Sequence, residues 1–186
     1  ALADFRDATN ILRLKRAGKE YEGLMLFQIG SIYFKSGKYP EAKRYFESAL
    51  KIAQAGGDRV SENYLYVFLI RTNLSAMTPD QRVRSLPRLR QSYEQIARRF
   101  RESAHRTGEA FLWTEIAKMY ENQGDLKKAG EMYRTAVGLD ESSLGEFIDK
   151  ELHEPFLEEL NIKSQNEEWY QRYANLLLRL GEEGEA

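Results

Sequence analysis

Apolar residues recur at helical spacing along almost the whole chain. Leu26, Ile29 and Tyr33, for example, lie three or four positions apart and form one stripe along a helix. Valine, isoleucine and threonine together make up only 19 of the 186 residues, which disfavours a sheet. The sequence therefore predicts an all-α fold, with helices at about 1–20, 22–36, 39–55, 59–76, 79–104, 109–123, 125–138, 144–160 and 165–180.

The pattern also repeats within the chain. When residues 23–56 are placed over residues 110–143, an offset of 87 residues, large residues coincide with large ones and small residues with small ones. Eight such coincidences in one short window indicate a repeated structural unit. The matched pairs are Leu26 with Trp113, Ile29 with Ile116, Gly30 with Ala117, Tyr33 with Tyr120, Gly37 with Gly124, Ala42 with Ala129, Phe46 with Tyr133, and Ala49 with Ala136.

Each repeated unit has the features of a helical hairpin. Gly37 and Gly124 stand where the end of a helix needs a residue with a left-handed backbone. Pro40 suits the first turn of a second helix, and Asp125 can cap the second helix of the other unit. The small Gly30 would allow the two helices to approach closely. We therefore predict two helices packed side by side in each unit.

These residues resemble the tetratricopeptide repeat, whose pattern is a large residue, Leu-Gly and Tyr on the first helix, then Ala, Phe and Ala on the second. The resemblance implies a right-handed superhelix of antiparallel hairpins, a TPR-like α-solenoid, as a single domain over residues 1–186. Its clear units are 23–56 and 110–143, with a divergent helical pair at 57–109 and inserted helices at 144–163. A truncated unit spans 167–186, and the spacing of Ala1, Phe5 and Ala8 suggests half a repeat, as expected of a fragment of a longer array.

Little in the sequence suggests catalysis. The chain has no cysteine, and its two histidines, His105 and His153, lack ligand spacing, so we expect surface roles for both. No glycine-rich phosphate loop occurs, and no cofactor or metal is expected. The longest apolar run, residues 65–70, is too short to cross a membrane. We expect a non-enzymatic protein in the cytoplasm, with the bacterial periplasm as the alternative.

The resemblance also implies a function, a scaffold that binds a peptide or a segment of a partner protein. In this family the contacts come from the first helix of each hairpin, on the face away from the second helix, which lines a concave groove. Phe27 and Ser31 replace the Lys and Asn with which some members grip a terminal carboxylate, so we expect a different ligand. The groove residues implied are Leu24, Phe27, Ser31, Phe34 and Lys35; Phe111, Thr114, Glu115, Lys118 and Asn122; and Gln171, Arg172, Asn175 and Arg179.

Charge offers an alternative binding surface. The formal net charge is only -1, which does not favour nucleic acid for the molecule as a whole, but the charge is unevenly distributed. Arginines concentrate in residues 82–106, whereas residues 140–186 are strongly acidic. The alternative function is a module that binds an acidic protein or a nucleic acid through the basic face. That face comprises Arg82, Arg84, Arg88, Arg90, Arg98, Arg99 and Arg101.

Overall fold

The computed structural model describes residues 19–142, 171–178 and residue 181. These residues form helices and short turns, with no strand in the ranges described. The six predicted helices between residues 22 and 138 are confirmed, and their ends differ from prediction by four residues or fewer. Predicted helices 1–20 and 144–160 lie outside the described residues, apart from residues 19 and 20. The helices are α1 (Lys19–Lys35), α2 (Tyr39–Gly56), α3 (Arg59–Ser75), α4 (Pro79–Glu102), α5 (Arg106–Asn122), α6 (Leu126–Ser142) and α7 (residues 171–178).

The described residues fall into two compact units. The first unit covers residues 19–84, and the second covers residues 85–142 with residues 171–178 and 181. Each unit contains one hairpin, α1 with α2 in the first and α5 with α6 in the second. The single domain over residues 1–186 stays a prediction.

The two hairpins turn in the same way. Gly37 and Gly124 have left-handed backbones, with φ of 72° and 80°, as the sequence predicted. The amide of each glycine donates to the carbonyl three residues earlier, at 3.0 Å in both hairpins, and the next amide donates to the carbonyl five residues earlier. Asp125 caps α6, because its Oδ1 accepts a hydrogen bond from the amide of Lys128 at 3.2 Å. The offset of 87 residues thus relates hydrogen bonds as well as residue types.

The core of the first unit is built around three aromatic rings. Phe27 of α1, Phe46 of α2 and Phe68 of α3 are all buried. Their centroids lie 5.8 Å apart for Phe27 and Phe46, 4.9 Å for Phe27 and Phe68, and 5.4 Å for Phe46 and Phe68. These distances suit edge and tilted contacts between aromatic rings. The cluster therefore ties α3 to both helices of the hairpin.

Gly30 makes the close approach of α1 and α2 possible. A β-carbon on Gly30 would lie 2.7 Å from the ring of Phe46, well inside van der Waals contact. Ala117, the matching residue of α5, is fully buried in a cluster with Ala129 and Tyr133 of α6. The prediction that Gly30 allows a close helix approach is confirmed, and Ala117 is buried at the matching position.

Helix α4 begins as the sequence predicted and continues through its internal proline. The amide of Thr78 donates to Oε1 of Gln81 at 2.9 Å, and the amide of Gln81 donates to Oγ1 of Thr78 at 3.4 Å. Pro87 lies inside the helix without ending it. Toward the end of α4, Phe100 packs against α5, where a β-carbon on Gly108 would lie 2.7 Å from its ring. A glycine facing an aromatic ring thus occurs in both units.

We predict that Gly30→Leu destabilises the protein, because the new side chain must displace the ring of Phe46. Overpacking of this kind costs about 1–3 kcal/mol. Gly56→Leu is the matched control, since it is also on the hairpin but a β-carbon there meets no atom within 4 Å. Chemical denaturation should give a lower free energy of unfolding for Gly30→Leu than for the unchanged chain, and no change for Gly56→Leu. Equal stability of the two variants would contradict the crossing assigned to Gly30.

Candidate functional site

The groove residues expected on α1 differ in their exposure to solvent. Leu24 and Phe34 are half-buried and Lys35 is exposed, so these three can reach a partner. Phe27 and Ser31, in contrast, are buried. The expectation that Phe27 and Ser31 face an open groove is therefore wrong. Phe34 itself is not isolated, because its ring makes an edge contact with that of Tyr39 at 5.7 Å.

Phe27 is buried because α3 packs over this part of α1. Its ring lies against Phe68 of α3 as well as Phe46 of α2, and its relative exposure is 0%. Ser31, one turn later on the same side of α1, is 3% exposed. Phe27, expected in the groove, is thus part of the hydrophobic core.

The second unit shows the same division. Phe111 and Thr114 are buried, so their expected groove positions are also wrong. Phe111 follows Gly108, the residue that Phe100 of α4 approaches, by three residues, about one turn of α5. The hydroxyl of Thr114 donates to the carbonyl of Ala110 at 3.0 Å and is satisfied within the helix. In both units the beginning of the expected binding face is buried.

The later turns of α5 remain accessible. Glu115 and Lys118 form an ion pair with 3.0 Å between Oε1 and Nζ, and their side chains are 29% and 22% exposed. Asn122, one turn further along, is exposed. The accessible part of this face is therefore polar and carries both signs of charge.

Helix α7 packs against the α5–α6 hairpin. Leu176 is 1% exposed and belongs to the same core cluster as Ala117 and Tyr133. The ring of Tyr173 lies 6.1 Å from that of Tyr133. Of the expected groove residues on α7, Gln171 and Asn175 are exposed and Arg172 is half-buried; the side chain of Arg179 lies outside the described residues.

Glu121 joins α5, α6 and α7, and the sequence analysis missed it. Its Oε2 accepts a hydrogen bond from the hydroxyl of Tyr133 at 3.1 Å and lies 3.5 Å from Nη1 of Arg172. Burial, and then the negative charge of Glu121, raises the pKa of Tyr133 well above its usual value. The sequence did contain an indication of this contact, because the second repeat has Tyr133 at the position where the first has Phe46. A buried tyrosine hydroxyl needs a hydrogen-bond partner.

The arginines of the basic face have different environments. Arg82 donates from Nε to the carbonyls of Leu74 and Met77, at 2.9 and 3.2 Å, and so caps the end of α3. Arg90 lies 5.2 Å from the ring centroid of Tyr120 and 3.6 Å from the carboxylate of Glu94. Six of the seven arginines of the basic face are exposed: Arg82, Arg84, Arg88, Arg98, Arg99 and Arg101.

Arg101 is exposed, yet it holds a buried carboxylate. Its guanidinium forms an ion pair with Glu109 of α5, and Nε donates to Oε1 of Glu109 at 2.8 Å. The indole of Trp113 donates to the same oxygen at 3.1 Å. Because an unpaired buried carboxylate is costly, Arg101 is needed to keep Glu109 in the interior.

His105 is not a surface residue, contrary to expectation. It is 5% exposed, and its Nδ1 accepts a hydrogen bond from the amide of Gly108 at 3.1 Å. It therefore caps the beginning of α5 in the position where Asp125 caps α6. His153 lies outside the described residues.

Two further properties concern only the part of the chain that the structure describes. In that part, no group of three or more His, Asp or Glu side chains is placed to hold a metal ion. None of the helices described there has both the length and the apolar character needed to cross a membrane.

Comparison with known proteins finds a repeat in each of the two predicted segments. Residues 24–55 and residues 112–143 each match a family model of the tetratricopeptide repeat. No curated protein matches the sequence. Among solved structures, that of BtubC (BKLC) from P. vanneervenii is similar at 16% identity with a TM-score of 0.53, and the alignment covers 96% of this chain and 75% of that chain. Together with the helical hairpins, these matches confirm the all-α, tetratricopeptide-like fold class.

We predict that Phe27→Ala lowers the free energy of unfolding by about 3–5 kcal/mol, because it leaves a cavity between Phe46 and Phe68. Phe34→Ala should cost clearly less, since that ring is only half-buried. Denaturant titration of the two single variants measures the difference. Similar, small losses in both variants would mean that Phe27 is not a core residue.

We predict that Leu176→Asp releases α7 from the hairpin, because it would bury an unpaired carboxylate in the core. The amides of residues 171–178 should then exchange with solvent roughly ten times faster or more. Leu178→Asp, at a position that is 66% exposed, is the matched control and should leave exchange unchanged. Equal exchange rates in both variants would contradict the docking of α7 through Leu176.

Proposed function

Because this chain is a tetratricopeptide repeat protein, we propose that it is a non-catalytic scaffold that binds a segment of a partner protein on exposed parts of its first helices. Tetratricopeptide repeats generally mediate protein–protein interactions. The residues that remain accessible on α5 and α7 are the ones we assign to this contact.

One observation carries the proposal, the contact between Glu121 of α5 and Arg172 of α7. This contact joins α5, the first helix of the second matched repeat, to α7, which the sequence predicts to be the first helix of a truncated unit. The polar residues on their accessible sides can then act on the same partner. We call this set the α5–α7 surface: Glu115, Lys118, Asn122, Gln171, Arg172 and Asn175.

The composition of the α5–α7 surface favours a polar ligand. Lys118 and Arg172 can donate to acceptors, Glu115 can accept, and the amides of Asn122 and Asn175 can do both. Phe27 and Phe111 are not available to a partner, because both are buried. An extended peptide that carries charged side chains and exposes its own backbone groups suits this surface better than an apolar helix does.

Partial burial should make the polar contacts on α5 specific. The ion pair of Glu115 and Lys118 is less than one-third exposed, so a partner that covers it must replace the water around both groups. A ligand that fails to satisfy one of them leaves a buried polar group without a partner, which is costly. Affinity should therefore depend on matched hydrogen bonds rather than on buried area alone.

We predict that Lys118→Ala combined with Asn122→Ala weakens binding of peptides selected on this chain from a display library. The loss should be about tenfold or more by titration calorimetry, because two contacts are removed together. The matched control combines Lys127→Ala with Thr135→Ala, which are exposed on the second helix α6.

The control variant should bind selected peptides like the unchanged chain, and all of the proteins should give the same thermal melt. Peptides that bind both variants equally well would place the contact outside the α5–α7 surface and contradict the proposal.

A further inference from the structure

Helix α7 has apolar side chains on two opposite sides. On one side, Leu176 is buried in the core of the α5–α6 hairpin. On the other side, Ala174, Leu177 and Leu178 are exposed, the two leucines at 44% and 66%. In repeat proteins, an outer helix that has no neighbour carries polar residues on its outer face. The apolar outer side of α7 is therefore typical of a helix that another helix covers.

The repeat register shows which helix is expected there. An offset of 57 residues places α7 over α5, with Ala174 on Ala117 and Leu177 on Tyr120. In α5 both positions contact the second helix, α6. Ala117 is fully buried in a cluster with residues of α6, and Nζ of Lys128 lies 5.5 Å from the ring centroid of Tyr120.

The first hairpin uses the matching positions in the same way. A β-carbon on Gly30 would meet the ring of Phe46, and the ring of Tyr33 stacks on that of Tyr45 with 5.3 Å between centroids. In both complete hairpins these two positions of the first helix thus face the second helix. We call Ala174 and Leu177, which are exposed on α7, the α7 seam.

The N-terminal segment, residues 1–18, has the sequence pattern of a second helix. In α2 and α6 an alanine, an aromatic residue, a second alanine and an aliphatic residue follow one another at intervals of four, three and three residues. The first three of these residues are buried in both helices. The N-terminal segment has the same intervals. The three sets are Ala42, Phe46, Ala49 and Ile52; Ala129, Tyr133, Ala136 and Leu139; and Ala1, Phe5, Ala8 and Ile11.

We propose that the N-terminal segment of a second copy of this chain packs as a helix against the α7 seam and completes a hairpin between two molecules. The length of the segment fits, because α2 has 18 residues and α6 has 17. In this arrangement the ring of Phe5 lies beside Ala174, as the ring of Phe46 lies beside Gly30.

A helix of this pattern suits the α7 seam better than a charged peptide does. The side chains of Ala174 and Leu177 neither donate nor accept hydrogen bonds, so the seam gains from apolar contact alone. The contact joins two different surfaces, and a pair of molecules therefore leaves one surface of each kind unused. Such a contact extends to longer assemblies as the protein concentration rises.

The test is sedimentation velocity of the full chain from about 5 to 500 µM, over which the mean mass should rise above that of one molecule. Leu177→Asp should raise the dissociation constant roughly tenfold or more, because the contact would bury an unpaired carboxylate. Phe5→Asp should do the same from the other side of the contact.

A mixture of the two variants tests the pairing itself. The Leu177→Asp chain keeps an intact N-terminal segment, and the Phe5→Asp chain keeps an intact α7 seam. At concentrations where neither variant associates alone, an equimolar mixture should form dimers with one chain of each kind and should not grow beyond them. Formation of these dimers also shows that both variants are folded.

The matched control is Val83→Asp, which adds the same charge at an apolar residue of α4 that is 66% exposed. It should alter the dissociation constant by less than about twofold. Lys118→Ala with Asn122→Ala should associate like the unchanged chain, so failure here and failure of the α5–α7 surface can be told apart.

Three results would overturn the proposal. The first is an unchanged chain that stays a single molecule at every concentration. The second is association that Leu177→Asp abolishes and Phe5→Asp leaves intact, which would mean that α7 pairs with another segment. The third is a mixture of the two variants that forms no dimers.

Discussion

The packing of both units depends on an aromatic ring placed where a neighbouring helix has no β-carbon. In the first unit the ring of Phe46 occupies the space beside Gly30, and in the second the ring of Phe100 occupies the space beside Gly108. Because protein interiors are packed as densely as organic crystals, neither ring can stay in place if a side chain is added opposite it. These two contacts set how closely the helices approach and which residues they cover.

The availability of each binding residue follows from that close approach. Once α2 and α3 close around α1, Phe27 becomes a core residue, and Phe111 of α5 is buried as well. What remains at the accessible ends of the first helices is mainly polar. This is why the function proposed here relies on hydrogen bonds and charge, although the groove residues implied by the resemblance included Phe27 and Phe111.

Charged residues of this chain have two kinds of role, and burial separates them. Glu109 and Glu121 are partners of Arg101, Trp113, Tyr133 and Arg172, so their carboxylates hold helices together. Arg88 and Arg98 extend into solvent from the opposite side of a packed helix. A surface pair contributes little to stability, so changes at exposed positions report on binding with little interference from folding.

The sequence by itself determined the helices, the repeat and the turns. Those features depend on residues close together in the chain: the spacing of Leu26, Ile29 and Tyr33, the glycine at each turn, and the cap at Asp125. Tertiary structure alone decided that Phe27 is core, that His105 is a buried cap, and that Arg82 and Arg101 have structural contacts while Arg88 does not. The physical reason is that helical periodicity shows only which side of a helix is apolar, whereas the exposure of each residue depends on a neighbouring helix from another part of the chain.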